Sequence, residues 1–266
     1  MNRGKVAGPS LKSIFIEARF RETVLGTGTA FLVAKDSQSH CMLITSRHIV
    51  TGKNPQTDEC LNKHAGIPDN VVVHFHANTG ETGNCEWREI QLQLFRANGS
   101  PSWIEHGELA GKADVIAFNL DWGNEVSTYP YYLEKEEKEV DRFSLEIDPA
   151  DSVSVIGFPF GRSVNRFPIW ATRFLAQDLS LITPENPTFL IDCRTREGQS
   201  GSPVVAYRAG TYRKRVKDKV FATMSPEPAW ELLGIYSGRI NRESDLGIVW
   251  DVSVIQNILE RSAADT

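Results

Sequence analysis

Three residues could carry acyl transfer if the fold brought them together: a serine, a histidine and an aspartate. The serine lies in Arg194-Thr195-Arg196-Glu197-Gly198-Gln199-Ser200-Gly201-Ser202-Pro203, where Ser200 is followed by a glycine and the β-forming run Val204-Val205-Ala206-Tyr207 comes next. The pattern reads as a tight turn entering a strand. Glycine at 198 permits backbone conformations closed to other residues. Such a turn can aim the amides of Gly198 and Ser200, with Gln199 between them, at one point. Converging N–H groups beside a serine hydroxyl supply a nucleophile and a cradle for the oxyanion it generates. The plainer alternative is a serine in a Gly-rich surface turn.

A serine hydroxyl needs a base, usually histidine. Of the six histidines, His48 follows the strand end Leu43-Ile44-Thr45. It sits in Ser46-Arg47-His48-Ile49-Val50, where Ser46 can cap a single helical turn. The third group should be a carboxylate that fixes the imidazole tautomer. Asp114 opens the apolar strand Val115-Ile116-Ala117-Phe118, and a carboxylate there is costly unless a donor meets it.

The elements that must position these residues are short strands. Ser13–Phe20, Gly26–Ala34, Cys41–Thr45, Val71–His76, Ile90–Phe95 and Asp114–Leu120 are β-branched or apolar runs bounded by turn residues. After a charged stretch, strands resume at Ser152–Ile156, Trp170–Ala176, Thr188–Cys193, Val204–Tyr207, Lys219–Thr223, Glu231–Tyr236 and Gly247–Trp250. Many short strands with few helical patterns indicate an all-β sandwich or barrel. Apolar residues at 254, 255, 258 and 259 have helical spacing and predict a C-terminal amphipathic helix. Leu133–Asp141, flanked by Pro130 and Pro149, reads as a solvated connector. The expected organisation is an N-terminal unit over 13–130, a connector over 131–150 and a C-terminal unit with its helix over 151–262.

Composition narrows the partners. The 266 residues carry 41% hydrophobic and 24% charged side chains, an ordinary globular balance. A net charge of -5 provides no overall positive field for phosphate, so nucleic acid is not the expected partner. No run reaches the ~20 apolar residues that span a bilayer. The first ten residues lack the apolar stretch of a secretory signal. Cys41, Cys60, Cys85 and Cys193 form no close pairs, so free thiols and a cytoplasmic setting are expected. Cys60, His64, His74, His76 and Cys85 match no zinc spacing, and neither metal nor cofactor is expected.

The order His48, Asp114, Ser200 resembles the trypsin-like (chymotrypsin-fold) serine peptidases. Thr45–Val50 resembles the family's histidine segment, Asp114–Ala117 its aspartate segment and Gly198–Pro203 its serine segment. Gly234-Ile235-Tyr236-Ser237-Gly238 resembles the strand lining its specificity pocket. Gly26–Val33 and Val155–Pro159 resemble the bacterial, HtrA-like branch, here without a PDZ domain. The resemblance implies two six-stranded antiparallel β-barrels and a C-terminal α-helix, with the site in the cleft between the barrels. It implies a serine endopeptidase acting on protein or peptide, with a pocket floored by Arg194, Thr195 and Arg196 and walled by Tyr236, Ser237 and Gly238. Gln199 stands where zymogen-type members have an aspartate, so activation by a freed N-terminus is not expected, while an activating partner protein is compatible. Thr51–Lys112 is a long interval that can carry elements shaping the cleft. A catalytically silent or partner-activated binding module on the same fold, and an esterase-type hydrolase, are the other function classes. The β-rich flanks of the serine turn disagree with the strand-to-helix elbow of the last class.

Overall fold

The computed structural model describes residues 6–64, 66–78, 86–134, 144–194, 196–241 and 243–264. The first sheet contains β1 (Ser13–Phe20), β2 (Thr23–Ala34), β3 (Met42–Thr45), β4 (Asn70–His76), β5 (Trp87–Gln93), β6 (Ile104–Glu105) and β7 (Ile116–Phe118). They run in the order β5-β4-β1-β2-β3-β7-β6, all antiparallel neighbours. A two-residue strand, β8 (Tyr131–Tyr132), joins β2 in parallel.

The second sheet contains β9 (Ser144–Leu145), β10 (Ser152–Gly157), β11 (Ile169–Leu175), β12 (Thr188–Asp192), β13 (Pro203–Val216), β14 (Lys219–Arg239) and β15 (Leu246–Asp251). Its order is β10-β11-β12-β15-β14-β13, and β10 also pairs with β13, so these six strands close into a ring. β9 lies outside the ring, on the edge of β13. Two helices matter: α1 (Arg47–Thr51) and the C-terminal α2 (Val252–Ala264).

Side-chain alternation along the strands explains why both sheets curl around cores. On β2, Ala30, Leu32 and Ala34 face the interior of the first sheet, while Phe31 and Val33 face the other way. On β13, Val204 and Ala206 fill the second barrel, and Val205 faces out. The outward sets do not meet water. Phe31, Val33, Ile44 and Val115 pack with Ile156, Val205 and Ile235 and with Val254, Ile255 and Ile258 of α2. A third core therefore joins the barrels and the helix. Stretches buried on both faces read as apolar runs, as residues 30–34 of β2 and 71–73 of β4 do.

The predicted break between Thr223 and Glu231 is absent, because β14 runs continuously through Pro226 and Pro228. Among the described residues its only paired neighbour over Lys219–Ala229 is β13, and proline is tolerated on an edge strand. Each described end of the predicted connector contributes a two-residue strand, Tyr131–Tyr132 to the first sheet and Ser144–Leu145 to the second, and residues 133–134 and 146–150 are irregular. Residues 135–143 of that connector lie outside the described set.

Candidate active site

His48 rides on α1, a single turn that follows β3. Ser46 occupies the N-cap position but its side chain makes no cap; its Oγ donates to the Tyr236 carbonyl at 3.4 Å. Asp114 does the capping from elsewhere in the chain. Its carbonyl accepts the Arg47 amide at 3.3 Å, and its Oδ1 accepts the His48 amide at 2.8 Å. The helix end is thus satisfied by the residue that also meets the imidazole, where His48 Nδ1 lies 2.7 Å from Asp114 Oδ2. With Nδ1 donating to the carboxylate, Nε2 is the acceptor nitrogen. Asp114 is 2% exposed, and the Ser237 hydroxyl gives it a third donor through a short hydrogen bond to Oδ2. A carboxylate this deep is tolerable because its oxygens are met.

Ser200 follows a turn held from both barrels. Its carbonyl accepts the Thr29 amide at 2.9 Å, and the Gly201 amide donates to Tyr236 O at 2.8 Å. Thr29, fully buried on β2, donates its hydroxyl to the Gly198 carbonyl at 3.0 Å and accepts the Phe158 amide at 3.2 Å. Glu197 O accepts the Phe160 amide at 2.6 Å, so the next N–H, that of Gly198, faces the opposite way. Gly198 has φ +89°, and a Cβ there would overlap the Phe158 carbonyl. Among the described residues no acceptor takes the amide of Gly198 or of Ser200. The Gln199 amide differs from the expectation: it donates to Arg196 O at 3.2 Å and is spoken for within the turn. The Gln199 side chain is buried, with Oε1 accepting the Arg196 amide at 2.8 Å.

His48, Ser200, Gly198, Ser237 and Gly238 line one cleft of about 500 Å³. A larger hollow of about 690 Å³ lies between α2 and the Lys35–Met42 segment and contains none of the predicted site residues. Proximity to His48 and Ser200, not size, therefore selects the cleft. The Ser200 hydroxyl donates to Ser237 O at 3.0 Å rather than to His48.

The remaining predicted pocket residues are placed differently. Arg194 is exposed and turns outward to Asp245, with Nη2 to Oδ2 at 3.0 Å. Arg196 is also exposed and does not line the cleft. Tyr236 is 2% exposed, its ring packed in the second barrel with Ile191 and Val249. Its backbone serves the turn: the carbonyl accepts the Gly201 amide, and the amide donates to Ser202 O at 2.9 Å. Thr195 lies outside the described residues. In place of the arginines the cleft has Glu197, Arg239 and Ile248. Thr29 went unpredicted, although glycines alternating with hydroxyls in Gly26-Thr27-Gly28-Thr29 signal close backbone approach.

Among the described residues no group of three or more His, Cys, Asp or Glu side chains is arranged to hold a metal ion. Among them, too, no helix is long and apolar enough to cross a membrane.

No family model matches the chain, and no curated protein matches it by sequence. Solved structures do. The serine endoprotease from Yersinia pestis superposes with a TM-score of 0.51 at 11% identity, covering 99% of this chain and 69% of that one. The active form of the Rv3671c protease from M. tuberculosis gives a TM-score of 0.45 at 16% identity, over 95% of this chain and 81% of that one. Its inactive form gives 0.46 at 14% identity, over 95% and 89%. At 11% identity the Yersinia pestis structure bears on fold alone, and it agrees with the paired barrels and terminal helix described above. The chain has the trypsin-like protease fold: two chymotrypsin-like β-barrels followed by a C-terminal helix.

Proposed function

We propose that the protein is a serine endopeptidase in which Ser200 is the nucleophile, His48 the general base and Asp114 its orienting carboxylate. The observation that carries this reading is the 2.7 Å contact of His48 Nδ1 with Asp114 Oδ2 in the cleft that also holds Ser200. Ser200 Oγ attacks a peptide carbonyl while His48 Nε2 takes its proton. The imidazolium then protonates the leaving amine, and water repeats the sequence to release the acid. The amides of Gly198 and Ser200 receive the oxyanion, and losing one such donor costs about 3–4 kcal/mol of transition-state stabilisation. The Ser200 hydroxyl must first rotate away from Ser237 O. Gln199 is left out of the cradle because its amide is bonded within the turn.

That rotation is also what supports a second reading, a binding module that is silent until a partner or substrate engages Ser237. A fluorophosphonate probe separates the two. Labelling of the isolated wild-type chain, lost in Ser200→Ala, is the expected result. Undiminished labelling of Ser200→Ala removes Ser200 from the role. Labelling that appears only with added lysate favours the partner-dependent reading.

A further inference from the structure

The cleft beside Ser200 has two unlike walls. One consists of Ser237, Gly238, Arg239 and Ile248, with Glu197 at its edge. The other comes from the first barrel and presents Ala18, Leu25, Ile49, Leu61 and Pro68. Among the described residues that wall also carries the polar but neutral Thr27, Asn54, Gln56 and Asn62 and, apart from His48, no ionisable side chain; the charged residues Glu197 and Arg239 belong to the first wall.

The wall is built, not draped. Residues 53–60 form a small hairpin: Lys53 and Cys60 bridge, the Asn54 amide donates to Glu59 O at 2.7 Å, and the Asp58 amide to Asn54 O at 2.9 Å. The Leu61 amide then donates to Gly52 O at 2.8 Å, fixing the segment to the end of α1. Gly66 lies so close to Leu25 that a Cβ would sit 2.9 Å from Leu25 Cδ2. Leu61 itself is 52% exposed beside this apolar surface.

Chemistry decides which part of a substrate meets this wall. The leaving amine must lie against His48, because that imidazole protonates it. The segment beyond the scissile bond therefore runs along the wall that continues from His48, and the acyl part stays along Ser237–Arg239. Resting on the peptidase reading, we infer that the Leu25–Leu61 wall binds the residue just after the scissile bond and selects an apolar side chain there. An acidic or basic side chain at that position would give up its hydration against an aliphatic patch whose polar neighbours, Thr27, Asn54, Gln56 and Asn62, carry no opposite charge to offset the loss.

The test is acyl transfer to added amines. The full chain is acylated by 4-nitrophenyl acetate, which releases 4-nitrophenolate and leaves acetyl-Ser200. A free amino-acid amide then competes with water: its nitrogen attacks the acetyl carbon, His48 removes the amine proton and passes it to the departing Ser200 oxygen. Each product is quantified against acetate after subtraction of the Ser200→Ala background. Leucinamide should capture the acetyl group roughly tenfold or more better than glycinamide, as burial of a leucine side chain predicts. Aspartic acid α-amide and lysinamide should not exceed glycinamide. Leu61→Asn should erase most of the leucinamide advantage and Leu61→Met should keep it. Equal partition among the amides overturns the inference. Methyl NMR keeps it separable from the peptidase reading. Leucinamide, not glycinamide, should shift the Leu25, Ile49 and Leu61 methyls even if no acylation occurs. Shifts without acylation would retain the pocket and sink the peptidase; acylation without shifts or preference would do the reverse.

Discussion

Thr29 holds Gly198: its hydroxyl donates to the Gly198 carbonyl at 3.0 Å while accepting the Phe158 amide at 3.2 Å. One buried side chain of the first barrel thus links two segments of the second and steadies the turn that carries both candidate oxyanion amides. Thr29→Val keeps the shape and removes the hydroxyl, leaving a buried carbonyl and a buried amide unmet, at about 1–3 kcal/mol of stability. We expect kcat to fall at least tenfold with KM little changed, and Thr29→Ser to restore it. Steady-state kinetics on an ester or peptide, paired with urea titrations, separate that effect from general loss of fold.

Asp114 accepts from the His48 amide, His48 Nδ1 and the Ser237 hydroxyl. Asp114→Asn replaces one acceptor oxygen with a donor, which disfavours the tautomer that leaves Nε2 free. Its kcat should fall roughly 10,000-fold. Ser237→Ala removes a single donor and should cost far less, on the order of tenfold, which corresponds to about 1.4 kcal/mol. Equal losses in the two variants would show that the Ser237 hydroxyl, not the carboxylate, orients the imidazole.

Two glycines with similar backbone angles make a controlled pair. Gly201 has φ +81° and Gly210 has φ +78°. A Cβ on Gly201 would overlap the Thr29 carbonyl, whereas one on Gly210 meets nothing within 4 Å. Gly210→Ala should therefore cost only the left-handed strain, about 1–2 kcal/mol. Gly201→Ala adds displacement of the β2 backbone next to Ser200 and should cost more, with activity lost alongside. Chemical denaturation of both variants checks the order.

His74 gives a pH-dependent term with a definite sign. Its ring is 7% exposed, packed at 4.9 Å from Phe15 and 5.0 Å from Trp87. Burial pushes its pKa below the ordinary imidazole value, and the nearby Glu17 and Glu89, each 3.6 Å away, only partly oppose that; Arg19 adds to the lowering. The unfolded chain then binds the proton more readily, so this contribution is fully present above the ordinary imidazole pKa and is lost as pH falls toward the depressed one. Wild type should lose stability relative to His74→Phe between pH 7 and pH 5. A relative gain would mean that the two carboxylates outweigh desolvation.

Much of this was legible in sequence because burial on both faces writes apolar runs. Ser13–Phe20 coincides with β1, and the spacing of residues 254, 255, 258 and 259 marks α2. The two-residue strands β6, β8 and β9 are too short to show a period. Residues 219–239 read as two strands because Pro226 and Pro228 suggest an interruption, yet an edge accommodates them. At the site, residue types and chain order pick out His48, Asp114 and Ser200, whose hydrogen bonds then draw on neighbours remote in sequence. The outward turn of Arg194 depends on Asp245, 51 positions later. The hydroxyl of Thr29 reaches Gly198 across 169 positions. The first leaves no local signature, and for the second the Gly-Thr alternation at residues 26–29 signals a close approach without naming the partner.

The apolar layer shared by both barrels and α2 has a consequence for the halves of the chain. Cut between residues 134 and 144, each fragment would present its side of that layer to water: Phe31, Val33 and Ile44 on one, Val205, Ile235 and Ile258 on the other. Neither piece should then fold stably on its own. Melting should proceed as one cooperative event, and co-expressed fragments should reassemble as a heterodimer held by the same surface.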